Sequence, residues 1–145
     1  MTQEEKDLLL KDLCVRLPYG VKLDCKWKTP APNGTYGMIC TMDSFLLDQI
    51  CNIDDIDVPF DEVKPYLFPL SSMTEEQEEE FKNLYYRYHE SAFIFNERFS
   101  YDRYSIKDIG FYPCYLQDWL NKHHFDYRGL IEKRLAIDAT GLNIY

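Results

Sequence analysis

From Val21 to Lys28 the chain alternates apolar and charged side chains without an exception: Val21, Leu23, Cys25 and Trp27 against Lys22, Asp24, Lys26 and Lys28. Successive side chains of a strand point to opposite faces, so this segment predicts a strand with one dry and one wet face. A strand of that kind needs neighbours, and the next residues supply one. Thr29–Thr35 holds Pro30, Pro32 and the Asn33-Gly34 pair, which together read as a turn, and Tyr36–Asp43 reads as the returning strand of a hairpin. A third strand is expected over Ile56–Phe60, near an edge because Pro59 has no N–H to give a ladder. Phe45–Ile50 fits either a continued strand or a short helix. Val63–Ser72, with Pro65 and Pro69, reads as an ordered loop laying Tyr66, Leu67, Phe68 and Leu70 on the core.

Helices frame this hairpin. Thr2 followed by Glu5 is a capping box, in which the hydroxyl accepts from an orphan backbone N–H and the carboxylate reaches back. Leu9, Leu10, Leu13 and Leu17 continue at helical spacing until Pro18 and Gly20. A second box, Thr74-Glu75-Glu76-Gln77, opens a helix with Phe81, Leu84, Tyr85 and Tyr88 as its apolar stripe. A third helix is expected from about Pro113 through Leu116, Trp119 and Leu120 to His124, and Asp126 is expected to cap a short fourth through Lys133. Residues 91–112 fit helix and strand equally, and Leu135–Tyr145 reads as an extended packed segment. With 145 residues, 46% of them hydrophobic, no internal repeat and no linker, the chain reads as a single domain over 1–145. The expected class is α+β: a small antiparallel sheet (the hairpin plus a third strand) packed with an N-terminal helix and two to three C-terminal helices.

The net charge of −9 is concentrated in the middle of the chain. Between Asp43 and Glu80 lie twelve acidic side chains and one basic one, Lys64, a balance of −11. Residues 1–42 carry five acids and six bases, and residues 81–145 eight and nine, so each flank is +1. Such a field disfavours duplex nucleic acid and anionic membranes and favours a partner with a basic surface. The five cysteines (Cys14, Cys25, Cys40, Cys51 and Cys114) form no CxxC pair, an odd set that points to free thiols in a reducing compartment. The opening MTQEEKDLLLKDL is charged and amphipathic, unlike a signal peptide, and no apolar run approaches the ~18 residues of a membrane span. A cytoplasmic location is the expectation.

No motif in the sequence names a reaction, a cofactor or a metal. His89-Glu90 begins an HExxH pattern, but position 93 is Phe. Asp54-Asp55-Ile56-Asp57 lacks the Gly and distal Glu of a calcium loop. His123-His124-Phe125-Asp126-Tyr127-Arg128 is dense in functional groups, yet adjacent imidazoles on a helix point about 100° apart. The ordinary roles there are a helix C-terminal His, a capping Asp and an ion-paired Arg. Tyrosines and arginines interleave between Tyr85 and Tyr104, a mixture able to stack on a nucleotide or another small signalling ligand.

Three segments carry a resemblance: LLLKDLCVRLPYGVK, VKPYLFPLSSMTEEQ and WLNKHHFDYRGLIEKRLAIDATGLNIY. They resemble a set of short uncharacterised proteins of gut anaerobic bacteria, their phages and integrated mobile elements. What the resemblance implies is a context, in which small accessory or inhibitor proteins bind host or element-encoded proteins.

Together these features favour a small acidic non-enzymatic protein that binds a protein partner through Asp54, Asp55, Asp57, Glu75, Glu76 and Glu79. The alternative is a domain holding a nucleotide or other small ligand with Tyr85, Tyr88, Arg98, Tyr101, His123 and Arg128, and an enzyme of unrecognised type stands third. The oligomeric state is not encoded in any readable feature.

Overall fold

The computed structural model describes residues 1–26, 37–51, 59–89 and 114–145. Helix α1 spans Gln3–Arg16. The Thr2 hydroxyl accepts from the Glu5 N–H at 3.2 Å, while the Thr2 N–H donates to the Glu5 carboxylate at 2.7 Å, the reciprocal cap expected from the sequence. A 3-10 turn at Leu17–Tyr19 ends the helix, and Gly20, at a φ of 63°, takes the left-handed conformation that turns the chain into strand β1 (Lys22–Lys26).

Val21, Leu23 and Cys25 are buried, and the intervening Lys22, Asp24 and Lys26 are half-buried or exposed, as the alternation requires. Trp27, Lys28 and the expected turn Thr29–Thr35 lie outside the described residues. Strand β2 (Gly37–Thr41) returns antiparallel to β1, with Leu23 opposite Cys40 and Cys25 opposite Met38. The ambiguous segment after it is a helix, α2 (Ser44–Cys51), because the Asp43 carboxylate accepts the Leu46 N–H at 2.7 Å and caps its first turn.

Of the third strand expected over Ile56–Phe60, only Pro59 and Phe60 are among the described residues, and neither lies in a strand. Ile56–Val58 lie outside the described residues, and Phe60 begins a 3-10 turn, Phe60–Glu62. The segment whose prolines suggest a loop is instead strand β3 (Val63–Pro69), the hub of the sheet. It runs antiparallel to β1 from Val63 to Pro65, then pairs in parallel with β5 (Ile137–Asp138) through Tyr66 and Leu67, and with β4 (Phe125–Asp126) through Phe68 and Pro69. Pro65 stands at the last register pair with β1, where β3 changes partner, and this position tolerates a residue with no N–H. The α+β class stands, and the sheet, in order β2-β1-β3-β4 with β5 on β3, is mixed.

Helix α3 (Glu75–His89) starts with the second cap: the Gln77 N–H donates to the Thr74 hydroxyl at 3.2 Å, and the Thr74 N–H donates to the Gln77 amide oxygen at 3.0 Å. Helix α4 spans Cys114–Lys122, and Pro113 lies outside the described residues. The expected fourth helix after Asp126 is absent. Asp126 does cap, accepting from the N–H groups of Arg128, Leu130 and Ile131 at 3.3, 2.9 and 2.8 Å, but it closes turns rather than a helix. Gly129 and Arg134, at φ 70° and 60°, interrupt any helical path there.

Among the described residues two apolar clusters result. One gathers Leu9 and Leu13 of α1, Val21 just before β1, Leu23 of β1, and Val63 and Leu67 of β3. The other joins Phe81 of α3 to Leu116, Trp119 and Leu120 of α4 and to Phe125 of β4.

Candidate functional site

The acidic stretch divides into two kinds of carboxylate. Asp61 and Glu62, beside β3, meet Lys6 at 3.3 Å and Lys26 at 3.6 Å, so part of the central charge is balanced by the basic N-terminal flank. On α3, Glu78 meets Lys82 at 3.7 Å. Glu76, Glu79 and Glu80 have no ion-pair partner among the described residues.

Helical geometry explains why these three act together. Positions 76, 79, 80, 83 and 84 recur every three or four residues and therefore share one face of α3. With Trp119 of α4 they line an open groove of about 390 Å³: Glu76, Glu79, Glu80, Asn83, Leu84 and Trp119. The indole is held by Phe125, stacked at 5.8 Å, by Phe81 edge-on at 5.3 Å, and by the His123 ring at 4.0 Å. Trp119 is 7% exposed, and its Nε1–H has no hydrogen-bond partner among the described residues. A buried donor without an acceptor is costly, so this indole is held by its ring contacts rather than by a hydrogen bond among the described residues. The groove thus offers carboxylates for a cation and an apolar wall for its methylene stem.

Of the residues singled out from the sequence, Glu76 and Glu79 line this groove. Glu75 is exposed in the first turn of α3 and is not part of its lining. Asp54, Asp55, Asp57, Arg98 and Tyr101 lie outside the described residues, as does the side chain of Tyr88. Tyr85 packs on the second apolar cluster. His123 closes α4, with Nδ1 2.9 Å from the Trp119 carbonyl. Arg128 instead belongs to a buried charge network that sequence reasoning misses.

That network sits on the inner face of α1. Asp12 and Arg16 are both fully buried. Arg16 Nε donates to Asp12 at 2.6 Å, and its Nη2 donates to the same carboxylate at 3.2 Å and to the Phe125 carbonyl at 2.8 Å. Arg128 Nε lies 3.3 Å from Asp12, its guanidinium covers the Tyr127 ring at 4.9 Å, and its Nη2 donates to the Tyr127 hydroxyl at 3.0 Å. One carboxylate therefore faces two guanidinium groups, bolting α1 to the segment after α4. The spacing carries the signal: positions 9, 12, 13 and 16 form one helical face, so Asp12 and Arg16 fall in the same stripe as Leu9 and Leu13.

His124 borders this network. Its backbone is left-handed at φ 59°, and its ring stacks on Tyr145 at 4.0 Å. Tyr145 in turn donates to the Tyr66 carbonyl at 2.7 Å and accepts from the Lys22 N–H at 3.1 Å, spanning β3 and β1. Burial, then the charge of Arg16, then His123 and Lys22, push the His124 imidazole down to about 4. Between the ordinary value near 6.5 and 4, the unfolded chain therefore holds a proton at His124 that the folded chain refuses. This contribution to stability is lost as pH falls from about 6.5 toward 4. In His124→Asn, which keeps a residue tolerant of positive φ and removes the titration, urea midpoints should fall less steeply between pH 7 and pH 5 than in the wild type. Parallel declines in the two proteins would exclude this role.

Comparison with protein-family models, curated proteins and solved structures returns no match. No helix among the described residues is long and apolar enough to cross a membrane, and no three His, Cys, Asp or Glu side chains among them are placed so that they could hold a metal ion.

Proposed function

We propose that the chain is a small non-enzymatic interaction protein that binds a basic segment of a host- or mobile-element-encoded protein in the α3–α4 groove. The observation that carries this reading is the convergence of Glu76, Glu79 and Glu80, free of ion pairs among the described residues, beside the buried indole of Trp119. A lysine or arginine side chain fits that chemistry, its stem against Leu84 and Trp119 and its charge among the carboxylates. An anionic nucleotide would meet three like charges in the groove, which weighs against the small-ligand alternative at this site.

Trp119 supplies the test. The chain has two tryptophans, so a Trp27→Phe variant isolates its fluorescence. Titration with an arginine- and lysine-rich peptide should change that emission saturably, and an acidic peptide of equal length should not. Emission indifferent to the basic peptide, or responding equally to both, would refute the groove as the binding site.

A further inference from the structure

We propose that Cys25 and Cys40 form a site of reversible covalent modification, a dithiol that hydrogen peroxide converts to a disulfide across the β1–β2 pair. Their Sγ atoms lie 3.4 Å apart. The register explains the approach: Cys40 is opposite Leu23 and Cys25 opposite Met38, so the two cysteines are diagonal neighbours on the core side of the sheet. Cys25 is fully buried and Cys40 half-buried, so an oxidant from solvent meets Cys40 first.

The two thiols differ in character as well as access. Hydrogen bonding with Cys25 holds the Cys40 thiol below its ordinary range, despite opposing burial and the nearby Asp24 and Asp43. The same hydrogen bond, with burial, raises Cys25. Cys40 is therefore the nucleophile and Cys25 the resolving thiol. The Cys40 thiolate attacks one peroxide oxygen and breaks the O–O bond, giving a sulfenic acid and a hydroxide that takes up the released proton as water. Cys25 sulfur then attacks the sulfenic sulfur, the S–S bond forms, and its proton leaves with the displaced hydroxide as a second water. Two thiols lose two electrons, and one peroxide becomes two waters.

Reversibility follows from position. A disulfide needs its sulfurs at about 2.05 Å and its Cα atoms within roughly 4.4–6.8 Å. Diagonal neighbours in a sheet stand about 7–8 Å apart at Cα, so closure must draw β2 along β1. Among the described residues β2 pairs with β1 alone and can make that shift. A bond closed against the register is more readily reduced, as suits a modification made and undone in a reducing compartment.

The three remaining thiols, Cys14, Cys51 and Cys114, are exposed and serve as internal controls. Alkylation of freshly purified protein under denaturing, non-reducing conditions should find all five thiols. After stoichiometric peroxide it should find three, with peptide mapping joining Cys25 to Cys40, and dithiothreitol should restore five. In Cys25→Ser the sulfenic acid at Cys40 should persist long enough for dimedone to label it. In Cys40→Ser, which leaves the core residue Cys25 in place, no intramolecular disulfide should form and Cys25 should remain a thiol. A disulfide joining other cysteines, five thiols surviving peroxide, or a Cys25 that oxidises in Cys40→Ser would each overturn the assignment.

Discussion

Asp12→Leu is expected to lower the melting temperature by roughly 6–20 °C, the largest loss from any single polar substitution in the described chain. Asp12 is fully buried and faces both Arg16 and Arg128, so its removal leaves a fully buried guanidinium without a counter-charge. Breaking a buried ion pair from one side costs about 3–5 kcal/mol, and in a chain of this size each kcal/mol moves the midpoint by about 2–4 °C. Arg16→Met should cost less, because Asp12 keeps Arg128 at 3.3 Å. The double variant Asp12→Leu/Arg16→Met should recover much of the loss, since matched apolar side chains can replace a buried pair nearly neutrally and Arg128, 22% exposed, can turn to solvent. Thermal unfolding of the three variants decides the matter. A loss below about 1 kcal/mol in Asp12→Leu would show that the network contributes little.

The second large effect concerns binding. Neutralising the groove with Glu76→Gln, Glu79→Gln and Glu80→Gln should slow association with a basic peptide about tenfold or more at low salt. Stability should change far less, because these carboxylates are exposed and make no ion pair among the described residues. The cost expected is the favourable interaction of Glu76 with the N-terminal end of the α3 dipole, about 0.3–1 kcal/mol. Neutralising Asp61 and Glu62 should slow association much less, since Lys6 and Lys26 already balance them. Stopped-flow association rates with circular dichroism on the same samples separate the effect on binding from any effect on folding.

Local signals in the sequence are dependable where one residue type performs one backbone task. Thr2, Thr74 and Gly20 cap or terminate helices where expected, and the Val21–Cys25 alternation names the buried face of β1. The failures come where tertiary context overrides a local rule. Pro65 and Pro69 argue for a loop, but β3 exchanges partners at Pro65, which removes the demand for its N–H. Asp126 caps as its residue type predicts, yet the left-handed backbone at Gly129 and Arg134 bends the succeeding residues into turns. Asp12 and Arg16 escape notice because a charged residue on an amphipathic helix is usually solvated, although their spacing puts them in the leucine stripe. The candidate site is half legible. Charge counting points to α3 and includes Glu76 and Glu79, but it cannot separate Asp61 and Glu62, which the fold neutralises. It also has no means of bringing Trp119 of α4 beside those glutamates.

The ionic-strength dependence of association reports on recognition of a basic segment by the α3–α4 groove. For the wild-type chain and a basic peptide, the association rate should fall steeply between about 0.01 and 0.15 M salt, as the screening length contracts from about 30 Å to 8 Å. The Glu76→Gln/Glu79→Gln/Glu80→Gln protein should start lower and follow a much shallower line, the two converging at high salt. Rates that ignore salt in the wild type, or two lines of equal slope, would contradict recognition through this groove.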